Sequence, residues 1–204
     1  MAGYTKLLVW NLALDLIRTT ELQSPQDTGP EARWLSRNWD HAVGTTLQSY
    51  PWDFAKERFQ LSAASVDPLF KWSKRYKKPA GTVRVLPISR NGDRYGDPIP
   101  HEVIGDYIET DEGSPLNVTC IMDRSNNPGV WSPLFVEIVR CKLGLGMANK
   151  FTGKAQFVSL AEKMLTKAQQ IAEEITAYEG TSEPVETFDI LRARGDSYNG
   201  KSWR

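Results

Sequence analysis

Apolar side chains at Leu7, Trp10, Leu14 and Ile17 recur three and four residues apart, which stacks them on one face of a helix and predicts one over residues 4–18. A polar stretch from Thr19 to Gly29 leads to Pro30, a residue suited to the first position of a helix, with Asp27 or Thr28 as the expected cap. Ala32, Leu35, Trp39, Ala42, Val43, Thr46 and Leu47 then repeat at helical spacing, so a second helix is expected within 28–50, stopped by Pro51. Beyond Trp52 the pattern changes to short β-branched runs separated by Gly, Pro, Asn and Asp. Strands are predicted at about 57–62, 82–88, 102–109 and 116–122, with Asn91-Gly92 as a turn signal.

Ser132-Pro133 supplies a cap and a first-turn proline for a third helix. Its side chains are apolar almost all round through Leu134, Phe135, Ile138, Val139, Cys141, Leu143, Leu145 and Ala148, as expected of a central, buried helix. Gly144 and Gly146 weaken helix propensity, and their presence points to another backbone approaching closely. Gly153 ends this helix. In the next, Phe157, Ala161, Met164, Ala168, Ile171, Ile175 and Tyr178 alternate steps of four and three, the seam of a bundle helix that Gly180 would stop. The expected fold is α+β. Residues 1–55 and 131–180 would form a bundle of about four helices, 56–130 an inserted small antiparallel β domain, and 181–204, poor in apolar periodicity, an extended arm.

Composition narrows the function classes. The 204 residues carry 25 basic and 25 acidic side chains, so no global field draws the subunit to nucleic acid or an anionic membrane. Seven Trp, seven Tyr and seven Phe are many for this length and lean toward an assembly component, since large aromatics favour interfaces as well as cores. Cys120 and Cys141 have no metal-ligand spacing and are expected as free buried thiols. With no basic segment before an apolar run and no run of eighteen apolar residues, a soluble protein with no membrane contact is expected.

Candidate chemistry is sparse. Residues 195–202, GDSYNGKS, match G-x-x-x-x-G-K-[ST] letter for letter, but no strand precedes them and only Trp203 and Arg204 follow, so no helix can complete a phosphate cradle. His41 and His101 lie apart with no partner at ligand spacing. Asp106, Glu109, Asp111 and Glu112 cluster at the third predicted strand and are accounted for as a solvated strand end. Gly144-Leu145-Gly146 sits inside a helical pattern and not after a strand, so it is no dinucleotide loop. No catalytic constellation and no cofactor or metal site is expected. Lys71, Lys74, Arg75, Lys77 and Lys78 interleave with Trp72 and Tyr76, the texture of a nucleic-acid patch in which cations meet phosphates and rings stack on bases. A loop or strand edge guarded by lysines accounts for the same residues.

A further set surrounds the passage from the second helix into the β segment: Trp52-Asp53-Phe54-Ala55, then Arg58, Leu61, Pro68, Trp72, Tyr76 and Pro79. With Asn11-Leu12-Ala13-Leu14 in the first helix, this order of motifs resembles the tail tubular protein A family of tailed bacteriophages, the head-to-tail adaptors. The likeness runs over roughly 4–180 as pattern, while 181–204 matches no motif of the family. It implies a structural virion protein that is not an enzyme. The implied partners are the portal protein, tail proteins and further copies of itself in a dodecameric ring, with viral DNA passing through without sequence-specific binding. The implied place is the head-to-tail junction of a virion assembled in the host bacterial cytoplasm. Trp52, Phe54, Arg58, Trp72 and Tyr76 would form the structural junction, and Phe188, Tyr198 and Trp203 of the arm would touch the portal or a neighbour. The alternative is a small nucleic-acid-binding module working through 71–78.

Overall fold

The computed structural model describes residues 3–90 and 97–178; the Asn91-Gly92 turn signal, Gly180 and the 181–204 arm lie outside them. Among the described residues the fold is α+β, with four α-helices and two three-stranded antiparallel sheets. The helices are α1 (Lys6–Leu16), α2 (Pro30–Ser49), α3 (Pro133–Met147) and α4 (Ala155–Tyr178). The strands are β1 (Lys56–Leu61), β2 (Lys74–Lys77), β3 (Thr82–Val85), β4 (His101–Ile104), β5 (Tyr107–Thr110) and β6 (Leu116–Met122). One sheet has the order β1-β6-β3 and the other β2-β5-β4.

Helix α3 lies at the centre, packed by α1, α2 and α4. Ser132 caps it, its hydroxyl accepting from the Phe135 N–H at 3.3 Å, with Pro133 in the first turn. Thr5 caps α1 in the same way. The cap of α2 differs from expectation. Pro30 takes the first helical position and makes Gly29 the cap, while the Asp27 carboxylate accepts the Gln23 and Ser24 N–H groups of the preceding turn. The two α3 glycines do mark close approach, through side chains more than backbone. A Cβ on Gly144 would lie 2.7 Å from Leu16 Cδ1 and 3.4 Å from the Ala13 carbonyl oxygen, and one on Gly146 would lie 2.5 Å from the Trp34 ring.

Four of the tryptophans lie inside the helical core. Trp10, Trp39, Trp52 and Trp131 are buried, and Trp39 stacks on Trp131 with ring centroids 5.5 Å apart, which in turn meets Phe135 edge-on at 4.7 Å. Large rings fill a helical core efficiently and hold it by offset and edge contacts.

Strand β6 divides two cores. Leu116, Val118, Cys120 and Met122 point to a cluster shared with Tyr76, Ile108, Ile88 and Ile99, whereas Ile121 points the other way into the helical cluster. Alternation along a strand produces this division, and burial of both faces at its C-terminal end explains the unbroken apolar run Cys120-Ile121-Met122. Three expectations are corrected here. Residues 102–109 form a hairpin of β4 and β5 instead of one strand, because Gly105 takes a left-handed φ of 57° that reverses the chain. The predicted strand 82–88 stops at Val85, ahead of Pro87, which has no N–H for a ladder. Residues 74–77, given no strand of their own by the pattern, form β2 against β5.

The seam of α4 is also rotated. Among its described side chains Ala161 and Ala168 of the expected seam are buried together with Ala172, while Ile171 and Ile175 of that seam, and Leu160, are 38%, 41% and 46% exposed. Alanine lets α4 lie close to its neighbours, and the larger aliphatic side chains fall on the flank of the contact.

Candidate functional site

The proposed junction residues divide between two cores and the surface. At the end of α2, Trp52 donates its ring N–H to the Thr46 carbonyl at 2.8 Å and sets its ring edge-on to Phe135 at 5.1 Å. Half-buried Phe54 meets the same ring at 5.0 Å. Beside them, burial first and then the Glu173 carboxylate of α4 push the Tyr50 hydroxyl pKa up, tying α4 to the same corner. Tyr76 belongs to the other core: it is fully buried and donates its hydroxyl to the Glu112 carbonyl at 2.8 Å. Arg58 is exposed on β1, opposite Thr119. Trp72 is half-buried and donates its ring N–H to Glu102 at 3.2 Å.

Most of the basic residues in 71–78 face carboxylates. Lys71 pairs with Glu102 at 2.7 Å and lies 5.0 Å over the Trp72 ring, Lys74 is 3.9 Å from Asp67, and Arg75 pairs with Glu109 at 2.7 Å. The hydrogen bonds from Lys71 and Trp72 hold the Glu102 carboxyl below its ordinary pKa. Of the acidic cluster, Asp106 and Asp111 are exposed as expected of a solvated strand end, but Glu109 is buried and corrects the expectation: β5 is the central strand of its sheet and carries Glu109 inward to Arg75. Lys77 is exposed and Lys78 half-buried. A cation already paired releases fewer counterions on meeting a phosphate. With Tyr76 buried, its ring has no face open to a base.

Both thiols are free and buried. Burial, with the Glu137 carboxylate as the next cause, pushes the Cys141 thiol up to about 12, so it is protonated and unreactive at neutral pH. No metal-binding group of His, Cys, Asp or Glu occurs among the described residues, and no helix there is long and apolar enough to cross a membrane. Phe188, Tyr198, Trp203 and the 195–202 pattern fall outside them.

One exposed apolar feature had no mark in the pattern, and a second lies mostly on side chains that the pattern assigned to the seam of α4. The loop between β1 and β2 holds Leu69 at 91% and Phe70 at 78% exposure, and β4, an edge strand, exposes Val103 and Ile104. On α4, Leu160, Met164, Ile171 and Ile175 fall within about 60° of one another around the helix, given roughly 100° per residue. A solitary exposed apolar residue is ordinary, but an aligned stripe and a loop tip of this kind mark interaction surfaces. Asn11 has a structural role that the motif order alone does not give. Its amide both accepts from the Leu22 N–H and donates to the Leu22 carbonyl, each at 3.0 Å, clamping the α1–α2 connection onto α1. A lone polar residue amid an apolar helix face was the available signal.

Compared with models of known protein families the chain matches none, and no curated protein matches it.

Proposed function

We propose that the chain is a structural virion subunit, the adaptor that joins a phage portal to its tail as a ring around the DNA channel. In this reading 1–55 and 131–180 act as one helical bundle, 56–130 as an inserted β domain and 181–204 as an arm that reaches the portal or a neighbouring subunit. The order of motifs from Asn11 to Pro79 motivates it, and one observation carries it. Exposed apolar side chains form two different surfaces, the loop tip with Leu69 and Phe70 and the α4 stripe with Leu160, Ile171 and Ile175. Two unlike surfaces on one subunit suit a heterologous contact, in which each copy meets the next head to tail, and such contacts close into rings when the rotation permits. Covering one Leu or Phe contributes roughly 1.5–3 kcal/mol, repeated at every contact of the ring. The reading requires no catalytic group and no cofactor. It is tested by native mass measurement of the purified chain alone and mixed with the portal of the same virus. A closed multiple of the subunit bound to the portal is expected; a chain that stays monomeric and ignores the portal refutes it.

A further inference from the structure

A second surface of the helical region has a different chemistry. Where α2 begins and α3 ends, an open cavity of about 480 Å³ is lined by Pro30, Arg33, Ser36, Arg37, Lys150 and Phe151. Arg33 and Arg37 lie one turn apart on α2 and so share a face. Lys150 and Phe151 come from a π-helical turn, Ala148–Thr152, that continues α3. Such turns are rare and recur at functional sites. One turn before Lys150, Gly146 has no side chain and lets the Trp34 ring of α2 settle against α3. Three cations therefore converge, and among the described residues no carboxylate is in the lining; Glu31 and Asp40, the acids of α2, are not part of it. None of the three has a salt bridge among the described residues, and Lys150 has only the Phe151 ring, 5.9 Å away. Like charges gathered without a counter-charge repel one another, and an anion relieves the repulsion. The N-terminus of α2 adds positive potential at the same end.

We infer that this cleft receives the acidic segment of residues 179–191 from a second copy of the chain. That segment carries Glu179, Glu183, Glu186 and Asp189 with no Lys or Arg, and places Val185 and Phe188 among them. Its carboxylates match the three cations, and its apolar side chains match the floor formed by Phe151 and Pro30. A bare phosphate would use only the cations. The chain's own segment cannot bring its acidic centre back to the cleft, and only its end, from Phe188 onward, spans the length of α4. α4 starts beside the cleft and runs away from it for 24 residues, about 36 Å at 1.5 Å per residue. From Tyr178 the chain spans at most about 3.6 Å per residue, so Glu183 reaches roughly 18 Å and Glu186 roughly 29 Å back along the helix. The acidic centre therefore meets the cleft of another subunit, which is a head-to-tail contact. This inference rests on the ring reading above and gives it one specific contact.

The test is fluorescence anisotropy of a labelled synthetic peptide with the sequence of residues 179–191, titrated with the full chain. Binding that weakens with added salt is expected, together with a loss of at least about tenfold in Arg33→Glu/Arg37→Glu, the scale of truncating close charge pairs. A peptide with its four acids replaced by Lys should prefer that double variant to the wild type. Equal affinity for wild type and variant, or no binding to either, overturns the inference. So does a DNA duplex that binds through these cations where the peptide does not, since the cleft would then be a phosphate site. Melting curves check the fold of the variant, and Lys150→Glu alone repeats the test if the double variant does not fold. The portal mass measurement on the same wild-type protein separates the two readings. Assembly without peptide binding removes the cleft contact alone, and peptide binding without assembly removes the adaptor reading.

Discussion

Helices α3 and α4 pack side by side, and both follow an apolar helical pattern, yet they bury different side chains. α3 is reached from α1, α2 and α4, and it encloses Phe135, Ile138, Val139, Leu143 and Met147. α4 buries Ala161, Ala168 and Ala172, packs half-buried Phe157, Val158 and Leu165 beside them, and leaves Leu160, Ile171 and Ile175 partly exposed. The difference lies in the number of covered sides. A helix surrounded on three sides turns nearly all its apolar area into stability, whereas a helix at the margin buries one narrow stripe. The adjoining stripe on α4 contributes less to the packing of the monomer.

Substitutions can break this contrast. Trp52→Ala empties a site against Phe135 and removes the bond to the Thr46 carbonyl; a loss of about 3–5 kcal/mol is expected from denaturant titration. A midpoint equal to that of wild type would show that the ring is not part of the α3 core. Gly146→Ala adds a methyl where the Trp34 ring lies and gains helix propensity in return, for a net loss of about 1–2 kcal/mol, read from the shift in Tm. Should it stabilise the protein, α2 and α3 do not approach as closely as described. Leu160→Gln, Ile171→Gln and Ile175→Gln combined should change stability least, within about 0.5 kcal/mol per site, while lowering self-association or portal assembly in sedimentation. A large drop in stability would mean that α4 carries core weight after all, and unchanged assembly would leave the stripe without a partner.

Local chemistry made much of the architecture legible. Ser132-Pro133 announced α3 because capping and proline placement depend on a few adjacent residues. Strand β6 and helix α2 were readable from period and alternation, and Trp52 from its place where helix passes to strand. The hairpin inside 102–109 was hidden because its flanking residues read as one β run and only the φ of Gly105 turns it. The orientation of α4 was misread because periodicity weighs all apolar residues alike, while packing distance favoured the alanines.

The candidate surfaces were less legible. Arg75 and Glu109 are 34 residues apart and meet only because β2 pairs with β5, so a run that looked like a free basic patch is largely neutralised. Lys150 comes beside Arg33 and Arg37 where α2 meets the end of α3; Gly146 marks a close approach along the chain, but not that Trp34 of α2 is what approaches. Short-range terms, set by torsional preference and by neighbours three or four residues away, are written along the chain and established the helices, most strands and the α+β class. Which charges stand paired, which aliphatic groups stay wet and which cations share a cleft depend on contacts between distant segments. Those contacts follow from the packing of whole elements, which only the fold brings together.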